Sequence, residues 1–360
     1  MKNKIALLLL IVMSLAITSC TKDQEEYVSL NSNEITDNEK NEVTYRGDMR
    51  TNYPLNTELY TYDGYYIYNY YTKADLEKEI IYYNCDIIGC KHNDYDCEAQ
   101  EKAKRNSLRS YDGGFYYALE NKVYYEKDGK SILLNENDFA TDFAEETRTM
   151  PTEIYSIFIM EDSNLLVGGV NFYYILDPKT KEASEPIEVG DITTTSAAII
   201  DSNRVVLSNI NQETIIIDFD TREVKKIKDH AREAQILDNM IYFLTWEDDV
   251  SVLKRCDLNG ENTEELVRGC YQYSIVNDDI FYVEFDKYDV LYRYDPNSDK
   301  VDEFLNLEDV DGQSLSITPP YHFTDTDFMI ISVSNPIKSM KEYYRVDLDG
   351  SNPRYIELSI

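Results

Sequence analysis

The stretch "GGFYYALENKVYYEKDGKSILL", residues 113–134, contains one repeat unit of this chain. An aromatic strand follows a glycine turn, a second strand follows a few polar residues, and a short apolar strand follows Asp-Gly. Tyrosine, phenylalanine and β-branched residues favour strands, and Asp-Gly between apolar runs favours a tight hairpin turn. The stretch therefore predicts antiparallel strands joined by short turns.

The same unit recurs to the end of the chain. Seven strands share an aromatic or aliphatic run that follows a turn, and they are "GYYIY" (64–68), "GGFYYAL" (113–119), "NLLVGG" (164–169), "NRVVL" (203–207), "NMIYFL" (239–244), "IFYVEF" (280–285) and "FMIISV" (328–333). A repeat period of roughly forty residues or more is typical of propeller blades.

Closure into a ring is physically favoured. An open sheet of this many strands would expose long edges, whereas radial stacking of short blades buries their apolar faces. We therefore predict an all-β fold, a seven-bladed β-propeller over residues 45–360, with six or eight blades as alternatives. The first and last units, residues 58–72 and 341–358, are expected to close the ring by sharing a blade.

The N-terminus has the pattern of an export signal. Lys2 and Lys4 precede the apolar run "IALLLLIVMSLAI" (5–17), which is short for a membrane span and ends in "ITSC" (17–20). That ending looks like a bacterial lipobox, with an ordinary signal peptide as the alternative. We predict a signal peptide over 1–19 and a lipid on Cys20, which anchors the chain to the extracytoplasmic side of the bacterial cell membrane. Residues 20–44 are polar and predict a flexible acidic linker.

The charge of the chain limits its partners. The 360 residues contain 35 Lys and Arg against 68 Asp and Glu, a formal net charge of -33. This charge repels phosphate backbones and excludes nucleic acid as a partner. It is compatible with cations and polycationic partners, and also with a surface that only keeps an exported protein soluble.

Three cysteines and a histidine are concentrated in "NCDIIGCKHNDYDCEAQ" (84–100), at Cys85, Cys90, His92 and Cys97. Four such donors within thirteen residues are able to wrap a structural zinc ion, and they leave no open position for a catalytic one. A local disulfide, with the third cysteine paired elsewhere or free, is an alternative in an exported chain. Reduced thiols without a metal are the third alternative.

The motif C-x4-C-x-H-x4-C-x-A, completed by Ala99, also carries a family resemblance. Together with the lipobox and the repeats, it makes the chain similar to exported lipoproteins of Gram-positive anaerobes, whose propellers are TolB-like or YWTD-like. This resemblance covers nearly the whole chain and implies a fold and a location. It implies no activity, because the family is largely uncharacterised.

Two further patterns bear on ligands. Cys256 and Cys270 flank "DLNGENTEELVRG" (257–269), and they are able to form a disulfide only if the chain bends after Leu266. The acidic turns "DLNGEN" (257–262), "DLDGSN" (347–352) and "EDVDG" (308–312) place oxygen donors as calcium loops do. Asp, Asn and Gly also suit hairpin turns, so we predict turn chemistry and no calcium.

The sequence contains no recognisable catalytic motif. G-x-S-x-G and H-E-x-x-H are absent, and we assign His230 and His322 to surface loops. The tyrosines of "YYIYNYY" (65–71) are expected to pack between blades. The alternative is that some of these tyrosines form a platform for sugar rings or peptides. The single tryptophan, Trp246, lies next to three acids in "FLTWEDD" (243–249), and the sequence assigns it no role.

These observations predict a binding or scaffolding module for an extracytoplasmic protein, peptide or glycan. One alternative is an extracytoplasmic hydrolase or lyase that acts on glycans or peptides. Another is an accessory component of an envelope sensor or transport system. The propeller fold is compatible with all three functions.

Overall fold

The computed structural model describes residues 42–43, 61–63, 65–68, 72–85, 90, 97–102, 104–139, 152–169, 171–189, 194–209, 213–228, 231–307, 315–322, 326–335 and 340–358. These residues belong to one compact unit, Lys40–Ile360. The predicted signal peptide and Cys20 lie outside the described residues, as does most of the predicted linker. No helix among the described residues is long and apolar enough to cross a membrane.

Seven mainly antiparallel sheets form the blades of a propeller, each built from four consecutive strands. The structure thus confirms the all-β fold and the seven blades. The strands of blades 1 to 3 are β2 (Thr61–Tyr62), β3 (Tyr66–Tyr68), β4 (Thr72–Asp75) and β5 (Ile80–Tyr83); β6 (Asn106–Tyr111), β7 (Gly114–Leu119), β8 (Lys122–Lys127) and β9 (Lys130–Glu136); and β10 (Ile154–Ile159), β11 (Leu165–Gly169), β12 (Phe172–Leu176) and β13 (Ile187–Glu188).

The strands of blades 4 to 7 are β14 (Thr194–Ile199), β15 (Arg204–Asn209), β16 (Thr214–Asp218) and β17 (Glu223–Lys228); β18 (Arg232–Leu237), β19 (Met240–Glu247), β20 (Val250–Asp257) and β21 (Glu264–Arg268); β22 (Cys270–Val276), β23 (Asp279–Glu284), β24 (Lys287–Asp295) and β25 (Lys300–Leu307); and β26 (Ser316–His322), β27 (Phe328–Asn335), β28 (Met340–Asp347) and β29 (Arg354–Tyr355). Outside the seven sets lie β1 (Glu42–Val43), the short helix α1 (Glu98–Lys102) and β30 (Glu357–Leu358).

Short turns with left-handed residues connect the strands. Asp112–Gly113 and Asp128–Gly129 have positive φ at both positions, as a two-residue hairpin turn of type I′ requires. Because neighbouring strands within a blade are antiparallel, the turns between second and third strands share one end of the ring with the connections between blades. We call this the upper end. The turns between first and second strands lie at the lower end.

The last strand of the chain joins the sheet of the first blade, in agreement with the expectation that the first and last units close the ring by sharing a blade. β30 pairs with β5 in parallel, opposite Ile80 and Ile81, and so adds a fifth strand to blade 1. β1 extends blade 6 in the same way by pairing with β25, although its residues fall within the predicted linker. The ring is therefore closed by strand pairing at the outer edge of a blade.

Apolar side chains fill the spaces between neighbouring blades. Six clusters of buried residues each join two consecutive blades. Between blades 6 and 7, for example, Phe281 and Leu291 pack with Met329 and Ile331. Strand tyrosines such as Tyr173 and Tyr242 are almost fully buried, whereas Tyr65 of the stretch 65–71, which was expected to pack between blades, is 77% exposed.

Candidate functional site

Three cysteines converge on the connection between blades 1 and 2. Cys85 follows β5 closely, and Cys97 directly precedes α1. The Sγ atoms of Cys85, Cys90 and Cys97 all lie within 4.8 Å of one another. We call these three residues the thiol cluster. His92, the fourth predicted donor, lies outside the described residues, so its role stays a prediction.

The two ends of this segment are held together by a lysine. Lys102 of α1 donates from its Nζ atom to the carbonyl oxygen of Asn84 at 3.3 Å and to Oδ1 of Asn84 at 3.1 Å. Cys97 and Ala99 are each only 1% exposed, whereas Cys85 and Cys90 are half-buried. The burial of Ala99 accounts for a small residue at the end of the motif, because little room is left for a larger side chain.

Cys256 and Cys270 are not brought together. Cys256 is buried between blades 4 and 5 and Cys270 between blades 5 and 6, so the sheet of blade 5 separates them. Both are free thiols, and the disulfide that the sequence left open is not formed. Burial raises the pKa of Cys256 to about 12 and raises that of Cys270 further. Both therefore stay protonated and act as small apolar core residues.

The acidic turns use their carboxylates internally. Asp257 accepts backbone N–H groups of Asn259 and Glu261 at 2.9 Å and the amide of Asn262 at 2.7 Å. These hydrogen bonds lower the pKa of the Asp257 carboxyl below its usual range, and the bond from the backbone N–H of Glu261 contributes most. Asp347 likewise accepts the amide of Asn352 at 2.6 Å. Residues 308–312 lie outside the described residues. Turn chemistry therefore accounts for the Asp257 and Asp347 sequences.

Replacing Asp257 by alanine is expected to lower the urea midpoint of unfolding at neutral pH. A depressed folded-state pKa stabilises the fold above the unfolded pKa of about 3.9, and this stability is lost as the pH falls through the folded value. The difference between wild type and Asp257→Ala should therefore shrink in acid. Urea titrations at several pH values measure it, with Glu303→Ala, an exposed acid on β25, as the control. A difference that grows below pH 3.9 would contradict the turn role.

A second candidate site lies at the upper end of blades 5 and 6. Tyr271, Phe285 and Tyr288 contact one another edge to face, with ring centroids 5.1 to 6.0 Å apart. Phe285 is 48% exposed, and Trp246, at the upper end of β19, is 38% exposed. We call these four side chains the aromatic patch. Exposed large rings of this kind are typical of binding surfaces.

Backbone hydrogen bonds join the two halves of the aromatic patch. Phe285 N–H donates to the carbonyl oxygen of Gly269, and Gly269 N–H donates to that of Ser251, each at 2.8 Å. Ser251 lies opposite Trp246 in the β19–β20 pair. Arg232 at the start of blade 5 also donates to the Tyr271 carbonyl oxygen at 3.1 Å. The rings of blade 6 are therefore fixed relative to the Trp246 turn.

Carboxylates surround the aromatic patch. Asp248, Asp249 and Asp286 are exposed in the two turns that carry Trp246 and Phe285. The nearby cations already have acidic partners at 2.6 to 2.9 Å, and these pairs are Lys254–Glu247, Lys287–Glu284, Arg232–Glu233 and Arg268–Glu265. Burial raises the pKa of Glu233, although Arg232 opposes this shift. The turn aspartates thus leave the described surface around the patch with excess negative charge.

The stretch 65–71, which the sequence offered as an aromatic platform, does not belong to the aromatic patch. Tyr65 of the stretch 65–71 is 77% exposed, but it lies at the lower end of blade 1, and residues 69–71 are outside the described residues. Sequence reasoning missed Tyr271, Phe285 and Tyr288. The available signal was the pair of aromatic residues in the acidic turn "EFDKYD" (284–289). A turn outside the buried part of a strand does not need aromatic residues for packing, so their presence there could have indicated an exposed aromatic surface.

No protein-family model matches the chain, and no curated protein matches it. Several solved structures are similar to it. PorZ, an essential bacterial surface component of the type-IX secretion system of Porphyromonas gingivalis, is 8% identical with a TM-score of 0.51 over 84% of this chain and 38% of PorZ. A catalytically inactive virginiamycin B lyase from Staphylococcus aureus is 13% identical, with a TM-score of 0.49 over 71% of this chain and 85% of the lyase.

The extracellular domain of a candidate one-component system from B. thetaiotaomicron is 11% identical, with a TM-score of 0.48. The match covers 70% of this chain and 33% of that protein, so the chain spans about a third of its length. At 8% identity, the likeness to PorZ shows a shared fold and nothing about function.

Proposed function

We infer that this chain is an extracytoplasmic binding module whose aromatic patch binds a positively charged segment of a protein or peptide. The observation that carries this proposal is the combination of exposed rings and exposed turn carboxylates at the upper end of blades 5 and 6. Attachment to the membrane through a lipid on Cys20 is part of the proposal and rests on the sequence. The surface location of PorZ is compatible with it.

The chemistry of the aromatic patch suits ammonium and guanidinium groups. The face of an aromatic ring attracts a cation, and tryptophan does so best. Asp248, Asp249 and Asp286 offer carboxylates beside the rings, and the net charge of -33 attracts a basic partner over a longer range. Rings and carboxylates together favour Lys- or Arg-containing segments over neutral ligands.

An aromatic-lined face is also the feature that separates a binding module from a hydrolase or lyase. Catalysis of that kind needs an acid and a base that converge on one substrate bond. A binding surface needs accessible apolar area with polar groups around it. The aromatic patch meets the second requirement. A role within an envelope sensor or transport system would be one use of the same surface.

The proposal is tested by binding of a labelled hexa-arginine peptide to the full chain in detergent. Replacing Trp246 and Phe285 together by alanine is expected to weaken binding about tenfold, because two cation–π contacts are lost. Replacing Asp248, Asp249 and Asp286 by asparagine should also weaken binding and reduce its dependence on salt.

Tyr65→Ala is the matched control, because it removes an exposed ring at the lower end, and it should bind the peptide as wild type does. Equal binding by wild type and by the Trp246/Phe285 variant would overturn the proposal. So would displacement of the peptide by a neutral hexasaccharide, since the aromatic patch would then be a glycan site.

A further inference from the structure

We propose that the thiol cluster, Cys85, Cys90 and Cys97, binds one zinc ion that fastens the connection between blades 1 and 2. This inference goes beyond the proposed binding function, because it concerns a different part of the ring and a different ligand. The three sulfur atoms belong to a connection between blades rather than to a strand, and they nevertheless lie within 4.8 Å of one another.

The spacing of the sulfur atoms fits a tetrahedral metal. Zinc–thiolate bonds of about 2.3 Å in tetrahedral geometry place two sulfur ligands about 3.8 Å apart. The 4.8 Å limit on the sulfur distances leaves room for an ion at the centre with only small adjustments. A disulfide would account for two of the three sulfur atoms, whereas a metal accounts for all three. Thiolate ligands select zinc over hard cations such as calcium and magnesium.

Side-chain contacts of the protein itself hold the two ends of the connection between blades 1 and 2 close together. The contacts between Lys102 and Asn84 hold the residue before Cys85 next to α1, which follows Cys97. Arg105, just after α1, pairs with Glu126 of blade 2 at 2.8 Å and lies 4.1 Å from the ring of Tyr117. One ligand thus follows the outer strand of blade 1, and another adjoins a helix fastened to blade 2. Because the loop ends are already close, binding carries a reduced entropic cost.

Binding exchanges protons for the metal. Each thiol must lose its proton to coordinate, so three protons leave as one zinc ion enters. The resulting group, three thiolates with one divalent cation, has a net charge of minus one. A neutral fourth ligand would complete the tetrahedron without adding charge. A fully ligated zinc of this kind is structural, and binding free energy becomes folding free energy for the connection.

The test is the metal content of the purified full chain, measured by mass spectrometry of the metal. Wild type is expected to carry about one zinc per chain, and Cys97→Ala is expected to carry almost none. Cys256→Ala is the matched control, because Cys256 is also buried but lies between blades 4 and 5. It should retain its zinc. A strong chelator should lower the melting temperature of wild type and of Cys256→Ala, but not that of Cys97→Ala.

A measurement on wild type alone covers the case in which Cys97→Ala does not fold. Chelation should expose three additional reactive thiols, and added zinc should protect them again. Cobalt in place of zinc should give the charge-transfer absorption of thiolate ligands. Metal-free wild type with an intact mass lower by two hydrogens would show a disulfide and overturn the proposal. Unchanged zinc in folded Cys97→Ala would also overturn it. Neither result would change peptide binding at the aromatic patch, so failures of the two proposals are distinguishable.

Discussion

Replacing Ile356 by aspartate is expected to unfold the propeller or to remove most of its stability. Ile356 lies between β29 of blade 7 and β30, which pairs with blade 1, and it is 2% exposed. Its side chain belongs to the cluster that joins Ile67 and Ile81 of blade 1 to Phe328 of blade 7. A carboxylate there would lose the apolar contacts and would be buried without a partner, at a cost on the order of 5 kcal/mol. That is comparable to the whole stability of many domains.

Thermal and urea unfolding of the full chain, followed by circular dichroism, measure this loss. Arg354→Ala is the matched control, because Arg354 crosses the same closure through an exposed ion pair with Glu79 at 3.4 Å. An exposed pair is worth about 1 kcal/mol or less, so this variant should remain near wild type. Equal stability of the two variants would contradict closure of the ring through Ile356.

Replacing Gly169 by alanine should destabilise blade 3 by about 3 kcal/mol. A methyl group at Gly169 would lie 2.2 Å from Cζ of Phe172 and 2.7 Å from the backbone oxygen of Glu153. Phe172 is fully buried and contacts Phe139 edge to face at 5.3 Å, so its ring has little freedom to move away. The free energy of unfolding from urea titrations gives the magnitude.

Gly129→Ala serves as the control for the glycine substitution itself. Among the described residues, and apart from its two chain neighbours, no residue has an atom within 4 Å of a methyl group at Gly129, but its φ of +69° is unfavourable for alanine. The free energy of unfolding of this variant should fall by about 1 kcal/mol, because of the backbone strain alone. If Gly169→Ala loses no more unfolding free energy than Gly129→Ala does, the result would contradict the close packing of β11 against Phe172.

The strand pattern could be predicted because its causes are local. "GGFYYAL" (113–119) contains β7, and "NLLVGG" (164–169) contains β11, because aromatic and aliphatic runs between turn residues define a strand over a few positions. Asp112–Gly113 and Asp128–Gly129 specify their own turns for the same reason. The number of such units then predicted the number of blades.

The candidate sites depended less on local sequence. The spacing of Cys85, Cys90 and Cys97 predicted that they were able to converge, and their sulfur atoms do lie together. Cys256 and Cys270 are close in sequence, yet the sheet of blade 5 separates them. Sequence distance was informative within one connection and misleading across a sheet, because residues near each other in sequence are able to lie on opposite faces of a blade.

By itself, the sequence determined the repeat, the tight turns and the acidic charge, since each depends on residue types within a short segment. Only the tertiary structure decided that the ring closes by parallel pairing of β30 with β5, and that Trp246 shares an end with Tyr271, Phe285 and Tyr288. Those relations join residues tens of positions apart. They follow from burial of the apolar faces between blades, which no single segment specifies.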